Sequence, residues 1–89
     1  MLIVKRKGHT EEYDPQKLYA SVYAACVSAG DSEEKAEEVA EAATGQITPW
    51  VRKQEEEVSS GSIARQAVDF LAKHSPKAAF LYENHRNLS

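Results

Sequence analysis

Three cations in succession, Lys5, Arg6 and Lys7, run into Gly8. Glu11 and Glu12 follow, then the pair Asp14-Pro15, with Lys17 close behind. These types at this spacing suit the capture of an anion. A helix start offers unpaired backbone N–H groups and a partial positive charge. A glycine turn lets the backbone approach a ligand closely. Lysine and arginine add the full charges a phosphate needs, and arginine can hold two oxygens at once. Two features qualify this. Asp14 at the cap uses some of the N–H groups and repels an anion placed directly there, so phosphates belong beside the cap, nearer the lysines. Side chains of strand neighbours alternate between faces, so Lys5 and Arg6 converge on one ligand only where the strand ends and twists. Spacing alone therefore leaves two readings open: charge decorating a hairpin, or a pocket for an anion. Glu11 and Glu12 do not form a hydrolytic pair, because alternation separates them and no buried acid stands beside a base.

The elements that must position these residues are readable in outline. Residues 2–6, LIVKR, are β-branched and short, as a strand is. Lys7-Gly8 suits a tight turn, and TEEY, residues 10–13, is the returning strand. Asp14 is a cap and Pro15 a tolerated first helical residue. A helical stripe of Leu18, Val22, Ala25 or Cys26, and Ala29 follows, ended by Gly30. A second helix, capped by Asp31 or Ser32, buries Ala36, Val39, Ala40, Ala43 and Ile47 and exposes its glutamates. Its early glutamates suit the helix dipole. Pro49 predicts a break near Gly45 to Thr48, then a short turn from Trp50 to Lys53. A third short strand is expected around Val58. Ser60 or Ser59 then caps a third helix through about Lys73, with Ile63, Ala67, Phe70 and Leu71 inward. Ser75-Pro76 starts a fourth. The fold class expected is α+β: a small N-terminal β-hairpin or three-stranded sheet packed on a bundle of about four short helices.

The 89 residues fit one domain, 1–89, with a core near the lower size limit. Bound ligand would therefore add noticeably to stability. The net charge of −3 and the clustered acids argue against a general nucleic-acid binder. The single cysteine, Cys26, excludes an internal disulfide. Its apolar helical setting marks a buried thiol with no catalytic role. One cysteine and three scattered histidines do not make a zinc site. The N-terminus is too short for a signal peptide or a membrane span, so no membrane partner and a cytoplasmic location are expected.

Other chemical residues have plainer readings. His9 on the turn reads as solvated, and His74 near a helix end as structural. His85 and Arg86 divide between a salt-bridged tail and a pocket rim. Tyr13, Tyr19, Tyr23 and Tyr82 read as core edges, and Trp50 as packing. No nucleophile–base constellation or P-loop is present, so the chain is not read as an enzyme.

The segment VKRKGHTEEYDPQKL, residues 4–18, resembles the opening of the ATP-cone domain. That pattern is roughly V-x-K-R-x-G, an acid, a polar residue, and later K followed by an apolar residue. EVSSGSI, residues 57–63, is similar to the family's V-[ST]-[ST]-x-x-I segment, and AAFLYENHR, residues 78–86, to its closing helix. The K-R-x-G block is the specific part, and the resemblance spans nearly the whole chain.

The resemblance implies a small regulatory module that binds ATP or dATP, with or without Mg2+, and does not hydrolyse it. Such modules stand at the N-terminus of ribonucleotide reductases and follow a zinc ribbon in a repressor of their genes. By that analogy Lys5, Arg6 and Lys17 hold phosphates, and Glu11 and Asp14 lie near the adenine or ribose. Leu18 gives an apolar wall, and Ser60 and Ile63 close the pocket. The implied partners are a fused or separate protein, or a second copy. Three positions depart from the pattern: Asp14 where some members carry Asn, Ala64 where some carry a polar residue such as His, and Phe80 where Arg is frequent. No zinc-ribbon cysteines precede the segment and no catalytic domain follows, so a cut piece or a free-standing cone is expected. The competing reading is a degenerate cone, a structural or protein-interaction domain that has lost its nucleotide. Indifference of its thermal stability to nucleotide would mark that case.

Overall fold

The computed structural model describes residues 3–6 and 9–88, with side chains placed at Val4 and across 9–84. The expected Lys7-Gly8 turn lies outside the described residues, as does Leu2 of the first strand. The chain is mostly helical, with small β elements. The strands are β1 (Ile3–Arg6), β2 (His9–Glu12) and β3 (Val58–Ser59). The helices are α1 (Pro15–Ser28), α2 (Glu33–Arg52), α3 (Ser60–His74) and α4 (Pro76–Leu88).

β1 lies between the other two strands, in the order β2-β1-β3. It pairs antiparallel with β2, Ile3 opposite Glu12 and Arg6 opposite His9. It pairs parallel with β3, Val4 opposite Val58 and Lys5 opposite Ser59. Val4 and Val58 are both buried, so this pair anchors the strands to the helices. All of β2 is exposed. Its charged Glu11 and Glu12 discourage another strand from adding to this edge. The return strand starts at His9 and stops at Glu12, one residue earlier at each end than TEEY suggests. Tyr13 leaves the ladder because its hydroxyl and Thr48 Oγ1 share a hydrogen bond of 2.8 Å.

α1 begins as its sequence dictates. Asp14 is extended, and its Oδ1 accepts from the Gln16 N–H at 2.9 Å. It ends in a Schellman turn: the Gly30 N–H bonds Val27 O and the Asp31 N–H bonds Cys26 O, both at 3.0 Å. Gly30 has φ +93°, which a side chain resists. Ser32 caps α2, accepting from the Lys35 N–H at 3.1 Å. Ser59, rather than Ser60, caps α3, accepting from the Ser62 N–H at 3.0 Å.

The expected break near Gly45 to Thr48 does not occur. α2 runs unbroken for 20 residues with Pro49 inside it, so it is not a short helix. Pro49 removes the N–H that would bond the Gly45 carbonyl. Gly45 is exposed, with open space beside it, so the ring has room and that carbonyl can bond water. Ile47 and Val51, each 1% exposed, continue the buried stripe on both sides of the proline. At roughly 1.5–3 kcal/mol for each such side chain, their burial outweighs one lost hydrogen bond. After Arg52, the Gln54 side chain donates to Trp50 O at 2.9 Å and covers the helix end.

One continuous cluster of buried side chains joins Val4 and Val58 to the inner faces of all four helices. The expected stripes of α1, α2 and α3 are in it apart from Ala29, and so is Val51. Ala29 is only partly buried, because it is already the C-cap of α1. The four tyrosines and Trp50 pack against the cluster from its margin.

Candidate functional site

The strand register fixes the neighbourhood of the cationic segment. Lys5 is paired with Thr10 on one side and with Ser59 on the other. Neighbouring strands lie about 4.8 Å apart, so these three residues form a row about 10 Å wide. Arg6 follows at the end of β1, paired with His9. His9 therefore belongs to β2, not to the turn. The side chains of Lys5 and Arg6 lie outside what the structure describes.

β1 and β3 run in the same direction, and α3 starts immediately after β3. The N-terminus of α3 therefore lies at the Lys5–Arg6 end of the strands. α1 follows β2, which runs the other way, so Asp14 lies toward the Ile3 end. The helix start beside the strand cations is that of α3. Sequence reasoning placed the anion near α1, because Asp14-Pro15 is the stronger local signal. The pairing of residue 5 with residue 59 is long-range, and only the V-S-S-G-S run pointed to it. Ser59, read from the sequence only as a possible helix cap, is the residue paired with Lys5. Its hydroxyl receives the Ser62 N–H and lies 2.8 Å from Ser62 Oγ.

Lys17 is on the first turn of α1, its side chain 72% exposed. Its Nζ is 4.0 Å from Glu11 Oε2, which brings two of the expected site residues together. An exposed pair at that distance is weak, on the order of 0–1 kcal/mol, so it yields readily to a stronger anion. Asp14 remains committed to its cap. Leu18 and Ile63 are 6% and 9% exposed and belong to the core cluster, so each offers a ligand only an edge. Ser60 opens α3.

Ala64 is buried and lies in a groove of about 290 Å³ between α3 and α4, with Gly61, Arg65, Val68 and Glu83. Phe80, one turn before Glu83, is 66% exposed. His74 stacks on Phe70, ring centroids 4.3 Å apart. Cys26 is fully buried, and burial, then Asp31, pushes its thiol pKa up. A protonated, enclosed thiol is a poor nucleophile. Among the described residues no three His, Cys, Asp or Glu side chains are grouped to hold a metal ion. Among them, too, no helix is long and apolar enough to cross a membrane.

The model of the ATP cone domain family matches residues 1–88. The chain belongs to the ATP-cone family. No curated relative and no solved structure matches it. ATP-cones are nucleotide-binding regulatory modules rather than catalytic domains. In this ATP-cone the K-R of the K-R-x-G block falls at the end of β1, and the V-S-S segment on β3 and the start of α3. Two of the three segments that carry the resemblance thus contribute adjacent strands.

Proposed function

We propose that this ATP-cone binds ATP or dATP without hydrolysing it, and that binding alters the activity or assembly of an attached or partner protein. Lys5, Arg6 and Lys17 neutralise the phosphates. Ser60, at the N-terminus of α3, supplies a hydrogen bond to a phosphate oxygen. Glu11 and Asp14 serve the ribose or adenine, beside the edges of Leu18 and Ile63. Any Mg2+ arrives with the triphosphate. A nucleotide triphosphate ligand also suits a cytoplasmic protein. The observation that supports this most is the pairing of Lys5 with Ser59, which sets a strand cation beside a helix N-terminus. The Lys17–Glu11 pair, weak and exposed, supplies a second cation that a phosphate can recruit.

Calorimetric titration with ATP and with dATP tests this. Saturable binding is expected, and Lys5→Ala combined with Lys17→Ala abolishes it. Nucleotide at a hundred times its dissociation constant raises unfolding stability by about 2.7 kcal/mol. No heat and no NMR shift at millimolar nucleotide would refute the reading. The alternative is a degenerate cone that serves as an interaction domain. Exposed Phe80 and buried, apolar Ala64 favour it, since by the resemblance some cones carry a polar residue at the Ala64 position and Arg is frequent at that of Phe80. It predicts a melting temperature indifferent to nucleotide.

A further inference from the structure

The outward face of α1 differs from those of its neighbours. α2 exposes Glu33, Glu34, Glu37, Glu38 and Glu41, and α3 exposes Arg65, Asp69 and Lys73. Lys17 is the sole charged residue of α1, and none occurs from Leu18 to Gly30. Tyr19, Ala20, Tyr23, Ala24 and Val27 follow one another at helical spacing along its outer side. Ala20, Ala24 and Val27 are exposed, Val27 by 43%. The rings of Tyr19 and Tyr23 stack at 6.3 Å and 12° and are half-buried. Isolated exposed apolar residues need no explanation. A continuous stripe of small and aromatic residues without charge has the composition of an interface centre, where tyrosine is enriched and lysine and glutamate are depleted.

The stripe has a charged bank. α2 packs against α1, and its Glu33 and Glu37 are exposed; after burial, these two carboxylates are the next causes that raise the Tyr23 phenol pKa. That bank selects the occupant. A second copy docked by the same face would bring its own Glu33 and Glu37 into the contact, acid against acid, between chains of charge −3. Like charges across an interface oppose association. A surface with an apolar stripe edged by lysine or arginine meets both features at once.

We infer that the Tyr19–Tyr23–Val27 face of α1 is a docking surface for a basic amphipathic helix of another protein. Its apolar stripe covers the small residues and rings of α1, and its cations meet Glu33 and Glu37. The inference does not depend on nucleotide. If nucleotide binding fails, this surface and its chemistry are unchanged.

The probe is a designed helical peptide of about 18 residues, with leucines at helical spacing and lysines and arginines along both edges. A second peptide carries glutamate at every cationic position. Added to the isotope-labelled protein, the basic peptide is expected to shift the amides of Tyr19 to Val27 and of Glu33 to Glu37. The acidic peptide shifts nothing. Val27→Glu, and separately Glu33→Lys with Glu37→Lys, weaken binding by about tenfold or more, and raised salt weakens it in the parent chain. All three positions are exposed, so the variants keep the fold, and their melting curves verify it. Nucleotide titration of Val27→Glu gives the parent result, which separates this surface from the nucleotide site. Three outcomes overturn the inference: no shift at millimolar basic peptide, equal binding of both peptides, or shifts centred elsewhere. A fourth is concentration-dependent self-association that Val27→Glu abolishes, because the occupant is then a second copy.

Discussion

Cys26 shows how burial and one neighbouring carboxylate act on a single side chain. Its thiol is fully buried, and burial first, then the neighbouring Asp31, raises its pKa above the ordinary 9.0, against a smaller pull from Lys35. The consequence for stability has a definite sign. An unfolded chain releases the thiol proton near 9.0, while the folded chain keeps it to higher pH. Stability is therefore intact below that value and falls as pH rises through the folded one. Tyr23 is shifted in the same direction from 10.0 and adds to the decline at higher pH. Melting temperatures followed from neutral to alkaline pH should fall more steeply in the parent than in Cys26→Ala. Parallel curves for the two proteins would remove Cys26 from the account. Cys26 burial was legible from its apolar helical setting. The carboxylate beside it was not, because Asp31 comes back to the thiol only after the Gly30 turn.

The elements show which local signals survive packing. The start of α1 and its end at Gly30 were readable, since a cap needs only neighbours in sequence. The inward stripes were readable too, because helical spacing survives whatever the helix packs against. Pro49 was misread for the complementary reason. The rule against proline in a helix is local, whereas the burial of Ile47 and Val51 on either side of it is tertiary. If that account holds, α2 continues despite the proline rather than because of it. Pro49→Ala restores the missing N–H toward the Gly45 carbonyl and should stabilise the chain by about 1–3 kcal/mol. Urea unfolding with an unchanged slope checks this. A loss of stability would mean that the proline is itself needed where it stands. The site was legible only in pieces. Lys5, Arg6, Lys17 and Ser60 stand out by type and motif, but the register that sets Lys5 beside Ser59 spans most of the chain.

Across the whole molecule, the two ends of α3 have separate tasks. Its first turn lies beside Lys5 and the strands, while its last residue adjoins Ser75, the buried polar residue that starts the passage to α4. Ser75 Oγ donates to Asp31 Oδ2 at 2.8 Å, and Lys35 Nζ lies 3.5 Å from Asp31 Oδ1. The turn joining α1 to α2 is thereby tied to the junction joining α3 to α4. A helix of 15 residues spans about 22 Å, so this tie is remote from the strand cations. Ser75→Ala leaves Asp31 with its lysine but without its hydroxyl donor, and should cost about 1–3 kcal/mol. Asp31→Asn should cost a similar amount, and the two changes together less than their sum, because they break one contact. If nucleotide binds at the other end of α3 as proposed, its affinity should stay as in the parent. A double-mutant cycle read by urea unfolding, with a nucleotide titration of each folded variant, checks both points. Strict additivity would dissolve the Asp31–Ser75 tie as an energetic unit. Weakened nucleotide binding in Ser75→Ala would show instead that α3 transmits the state of its far junction to the strands.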